Sequence, residues 1–145
     1  MTEECILIRK KIVEEALLRP AGLELRPAGL ELSPVGLESL KGLIKGQQTV
    51  LIAEDNLGKK LNKAEAHKKM SDFFICLEGK VSFVYGGQLV NSWEKDGDEN
   101  ELRADKIQGG KEETLETGDM LFIPAGQPHQ HNGSAYLLVI KIPKR

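Results

Sequence analysis

The stretch Gly118-Asp119-Met120-Leu121-Phe122-Ile123-Pro124-Ala125-Gly126-Gln127-Pro128-His129 decides how this chain folds. Gly118-Asp119 supplies a turn, and Met120 to Ile123 is a four-residue apolar strand candidate. Pro124 withdraws a donor from any strand ladder, and Gly126 accepts backbone angles that other residues avoid. The segment therefore predicts a strand that stops, bends and delivers His129 to a fixed place. A β-scaffold mounts a metal ligand or an acid/base group in this way.

Outward from that segment, the chain from Gln48 onward reads as β-structure. Thr49 to Glu54 is a strand, followed by a turn at Asp55-Asn56-Leu57-Gly58. Phe73 to Leu77 is apolar on both parities, as a strand between two packed layers would be. Glu78-Gly79 predicts a turn into Lys80–Tyr85, where Val81, Phe83 and Tyr85 form an apolar face. Gly86-Gly87 is a tight hairpin signal leading to Gln88–Val90. Residues 91–106 read as a polar insertion, a solvated acidic loop. Strands resume at Glu112–Leu115, Met120–Ile123 and His129–His131, with a turn at Asn132-Gly133 and a final strand over Tyr136–Ile142. Many short strands separated by turn signals predict an all-β fold, an antiparallel β-barrel or jelly roll, over residues 46–145.

Residues 1–45 are a different kind of sequence. Ile6, Ile8, Ile12, Val13, Ala16 and Leu17 make a helix-like apolar stripe within residues 3–18. A seven-residue repeat follows: Arg19-Pro-Ala-Gly-Leu-Glu-Leu25 recurs unchanged at 26–32 and in altered form at 33–39. A proline in every copy rules out a continuous helix or a central strand. The segment is either a docking arm whose Leu23, Leu30 and Leu37 meet a partner subunit, or a duplicated surface segment.

The 145 residues suffice for one domain with a real core. A net charge of −2 supplies no general drive toward nucleic acid or an anionic membrane. No apolar run approaches the roughly 18 residues of a membrane-spanning helix. The start, Met-Thr-Glu-Glu-Cys5, lacks the basic and apolar regions of a secretion signal. Cys5 and Cys76 are too few for a disulfide framework and read as free thiols. A cytoplasmic protein is the expectation.

The opening stretch resembles the second motif of the cupin family, G-x5-P-x-G-x2-H, through Gly118, Pro124, Gly126 and His129. An altered counterpart of the first motif lies upstream: Glu65-Ala66-His67 stands where the family has two histidines, Asp72 where it has glutamate, and Gly79 falls on register. Leu77-Glu-Gly79, Gly86-Gly87, the insertion from Glu94 to Asp105 and Ile107-Gln-Gly-Gly110 are similar to segments of small single-domain bacterial cupins. The resemblance implies a cupin jelly roll, a homodimer, and metal ligands at Glu65, His67, Asp72 and His129.

All three histidines lie in the two motif regions. Glu65 and His67 are two apart and project from one strand face, as do His129 and His131. If both pairs line the interior, imidazole nitrogen and carboxylate oxygen converge, a donor set that suits zinc, iron, manganese or nickel. Glu65 or His131 is then the group that moves a proton. The other reading has Asp72 capping a turn, with Glu65 and His131 facing solvent. Asp96-Gly-Asp98-Glu-Asn100 opens like a calcium loop but has Glu101 where glycine is needed and Ile107 where glutamate is needed. Two functions follow. One is a metal-dependent isomerase, lyase or dioxygenase acting on a small, oxygen-rich, anionic molecule such as a sugar acid. The other is a non-catalytic module that binds or senses a small ligand without metal.

Overall fold

The computed structural model describes residues 4–10, 41–42 and 49–145. The regular structure of the described residues is nearly all β. In chain order the strands are β1 (Ile6–Ile8), β2 (Val50–Asp55), β3 (Ala64–His67), β4 (Met70–Tyr85), β5 (Gln88–Leu89) and β6 (Trp93–Lys95). They continue with β7 (Asp98–Ala104), β8 (Ile107–Gln108), β9 (Lys111–Glu116), β10 (Met120–Ile123) and β11 (His129–Pro143). Every pairing among them is antiparallel. One sheet runs β1-β10-β4-β11-β3-β7-β6, with β2 against β11 and β9 against β4; β5 and β8 pair separately. The expected all-β jelly roll is the fold.

Two long strands organise it. β11 lies along the whole of β4, from His129 opposite Tyr85 to Pro143 opposite Met70. The predicted turn at Glu78-Gly79 is instead the middle of β4. There Leu137 pairs with Cys76 and Tyr136 with Glu78, so Leu77 is the extra residue of a β-bulge. The bulge moves the buried positions from Asp72, Phe74 and Cys76 to Val81, Phe83 and Tyr85. That change of parity is why Phe73–Leu77 and Lys80–Tyr85 look like separate strands in the sequence. Gly79 follows the bulge at φ 89°, where a Cβ would stand 2.1 Å from the Ser134 carbonyl oxygen.

Asn132-Gly133 is likewise not a turn but part of β11. The Lys80 backbone crowds Gly133 so closely that a Cβ there would lie 2.4 Å from the Lys80 carbonyl oxygen. Phe74, Cys76, Val81, Phe83, Tyr85, Leu115, Leu121, Ile123, Leu137 and Val139 pack into one core, with Phe74 and Phe83 edge to face at 4.9 Å.

The polar insertion is ordered β-structure rather than a solvated loop. Asp96 and Gly97 have φ of 52° and 76°, the left-handed pair that a two-residue hairpin needs, and they join β6 to β7. β7 then pairs with β3 and carries its charged side chains to the first motif. Gly86 and Gly87 do turn with positive φ, but β5 leaves the main sheet and pairs with β8.

Ile6–Ile8, expected within a helix, is a strand that runs against Met120–Phe122. Just beyond it, Asp119 accepts hydrogen bonds from Arg9 at 2.9 Å and from the amides of Lys10 and Glu116. The turn that opens the second motif is thereby fixed. Residues 11–18 of the expected helix and the whole repeat lie outside the described residues.

Candidate metal centre

Directly opposed cross-strand pairs build the site. His129 at the start of β11 faces Glu65 on β3; Glu65 faces Arg103 on β7; His67 faces Glu101; and Asp72 on β4 faces Lys141 on β11. Opposed residues hold their Cβ atoms about 5 Å apart, so antiparallel register sets His129, Glu65 and Arg103 in one row, His67 beside Glu101 and Asp72 beside Lys141. The Pro124–Gly126 corner delivers His129 as the sequence predicts. Its last glycine donates its amide to the His67 carbonyl at 2.7 Å, linking the two motifs.

The four positions implied by the motifs converge. One donor atom each from Glu65, His67, Asp72 and His129 lies within 4.8 Å of all the others. His129 Nε2 is 3.3 Å from Glu65 Oε1 and 3.3 Å from Asp72 Oδ2. His67 Nε2 is 3.6 Å and 3.3 Å from the same two oxygens. Both imidazoles are anchored from behind. His67 Nδ1 is 2.6 Å from Glu101 Oε2, and His129 Nδ1 is 3.2 Å from the Gln127 carbonyl oxygen. Each acceptor calls for a proton on Nδ1, which aims the Nε2 lone pair into the cluster. Asp72 Oδ2 and His129 Nε2 are buried without a hydrogen-bond partner. Buried polar atoms are rarely left so, and here they point at one another around a common centre. The donor set, with Glu101 and the Gln127 carbonyl behind its imidazoles, fits a divalent cation.

The electrostatics run the same way. Burial disfavours ionised Glu65 and Asp72, but the two imidazoles overcome it and hold both carboxyl groups well below the usual carboxylate range. Burial likewise disfavours charged His67, and Asp72 and Glu65 overcome that, leaving the imidazole pushed up to about 10. His129 is raised for the same reason. Protons on the two imidazoles thus balance the two carboxylates, and a metal ion bound there would displace them.

His131 is not among the four. Its Nδ1 is 2.7 Å from Asp55 Oδ2, and its ring packs against Phe74 and Phe83, with centroids 5.5 and 5.1 Å away. Sequence reasoning did not find Glu101, Arg103 or Lys141. Arg103 lies 3.1 Å from Glu65 Oε2 and 3.6 Å from Glu101 Oε2, and it joins the two acids on the outer side of the cluster. Glu101 and Arg103 alternate along residues 98–104, and two carboxylates and a guanidinium on one parity were the available signal. Cys76 is buried and its thiol is pushed up to about 11, mainly by that burial, so it is inert at neutral pH.

A family model described as a JmjC domain matches residues 59–140, more than half of the chain and every residue of the cluster. The chain belongs to the JmjC domain family. This is a cupin-like family, so the resemblance read from the two motifs holds for this JmjC domain. No curated protein matches it. Among solved structures, a 3,4-ketoisomerase from Helicobacter canadensis is similar at 19% identity and a TM-score of 0.41, over 65% of this chain. The chain spans 59% of that protein's length.

Glu101→Gln removes the charge behind His67 while keeping its shape. It should weaken divalent-metal affinity about 10–100-fold, the usual cost of losing an outer-shell carboxylate. Titration calorimetry with Zn²⁺ reads the change, and an unaltered affinity would show that Glu101 does not orient the ligand.

Proposed function

We propose that this JmjC domain is a metal-dependent enzyme acting on a small, oxygen-rich, anionic metabolite. The observation that carries the reading is the convergence of four donor atoms whose imidazoles are both anchored through Nδ1. His67, His129, Glu65 and Asp72 would hold the ion, and zinc, iron, manganese and nickel all suit this set. Once bound, it would supply Lewis-acid polarisation of a carbonyl or activation of water or dioxygen.

The chain's own residues would do the rest. Asp72 and His129 have side chains only 1% exposed, whereas Glu65, Glu101 and Lys141 are 22%, 29% and 20% exposed. A substrate therefore approaches from the side of β3 and β7. Glu65, on that open side, would take or return a proton if it does not ligate the ion, and His131 is the other candidate for that step. Arg103 keeps its carboxylate oriented and favours an anionic substrate. Homodimeric assembly in the cytoplasm belongs to the same proposal.

A specific observation favours the second reading, a ligand-binding module without metal. Arg103 and Lys141 already pair with Glu65 and Asp72, so the acidic charge has internal partners. Elemental analysis decides between the two. Protein purified without added metal or a histidine tag should carry about one transition-metal ion per chain if the enzyme reading is right. Metal-free protein whose melting temperature rises with a metabolite that it does not turn over would establish the module instead.

A further inference from the structure

Two basic side chains reach this cluster, and they do different things. Arg103 touches Glu65 through Oε2, whereas Glu65 Oε1 is the oxygen nearest the histidines. Lys141 goes further in. It continues the inward face of β11 after Leu137 and Val139, both buried. It also stands directly opposite Asp72. Its Nζ lies 2.6 Å from Asp72 Oδ1, an ion pair not aligned as a hydrogen bond, and 3.3 Å from His67 Nε2. That nitrogen is itself one of the four converging donors. A positive charge thus sits against one of the atoms a metal ion would need, His67 Nε2, and against the outer oxygen of the carboxylate that supplies another.

We propose that Lys141 is an intrinsic cation of the metal centre, which holds the corner between Asp72 and His67 and is displaced from it by an incoming divalent ion. The proposal rests on the metal reading of the site. An ion on His67 Nε2 brings its charge within a few ångströms of the ammonium, and repulsion at that range in a partly buried site is substantial. The side chain has somewhere to go. It is 20% exposed, and a lysine stem can lie along apolar surface while its head moves to water. Lys141 thereby neutralises Asp72 when no metal is present and limits how tightly the site grips an ion.

Lys141→Met keeps the apolar stem and removes the charge; Lys141→Gln does the same with a polar end, in case the first variant folds poorly. Titration calorimetry with Zn²⁺ alone should show binding tightened roughly tenfold or more by either substitution, and not by Lys141→Arg. Melting temperature supplies the second readout. With a chelator present, Lys141→Met should melt below wild type. With excess Zn²⁺ it should stabilise by a larger increment than wild type does. A merely structural lysine would lower stability without tightening the metal. Wild type that binds Zn²⁺ alongside a variant of equal or weaker affinity would overturn the proposal and leave the metal centre standing. Failure of wild type and both neutral variants to bind Zn²⁺ would overturn both.

Discussion

Replacing His67 and His129 together by alanine should abolish stoichiometric metal, with affinity for Zn²⁺ falling by well over about 100-fold. Loss of an outer-shell partner alone costs about 10–100-fold. The double variant removes half of the donors outright and leaves Glu65 and Asp72 facing each other across the gap. Imidazoles are also the donors that would favour a transition metal at such a site, since carboxylates alone favour harder ions. His129 is fully buried and lies 5.8 Å from Phe74, ring to ring, so the alanine variant also leaves a cavity. Histidine-to-glutamine replacements that retain volume keep the test clear of that effect, with circular dichroism to verify the fold. Metal retained at one ion per chain in both double variants would place the ion elsewhere.

Why His129 was visible in the sequence and Lys141 was not has a physical explanation. The segment from Gly118 to His129 combines strong local signals. Its strand is found at Met120–Ile123, as predicted, and Pro124 and Gly126 do bend the chain. Local chemistry decides such a segment almost alone. Register between distant strands leaves no comparable mark. Lys141 faces Asp72 only because β4 and β11 pair over their full length, with one bulge at Leu77. Losing that bulge from the count exchanges the inward and outward faces of half of each strand. The β6–β7 hairpin was hidden for another reason. Its alternation is of charge rather than hydrophobicity, and a polar strand over a polar site lacks the apolar periodicity by which strands are recognised. Only the Asp96-Gly97 pair marked it, and that pair also suggests a metal loop. The insertion therefore concealed both the hairpin and the two residues, Glu101 and Arg103, that brace the centre.

Asp72→Asn should destabilise the metal-stripped protein by about 3–5 kcal/mol, the cost of leaving buried charges without their partner. Asp72 is 1% exposed and is approached by His67, His129 and Lys141, so one isosteric change removes the counter-charge of three cationic groups. The dependence on pH identifies the cause. His67 is raised to about 10 from an ordinary value near 6.5, so its contribution is complete below about 6.5 and is lost as pH rises through 10. Asp72 and Glu65 are depressed, so theirs is present above about 4 and is lost only as pH falls further. The cluster accordingly stabilises metal-stripped wild type most between about pH 4.5 and 6.5, with a long decline on the alkaline side. In Asp72→Asn that alkaline decline should flatten, because His67 loses one of the carboxylates that hold its proton. Urea unfolding in a chelator at pH 6 and pH 9 measures both effects. Equal losses at the two pH values would mean that Asp72 acts through packing or hydrogen bonding and not through charge.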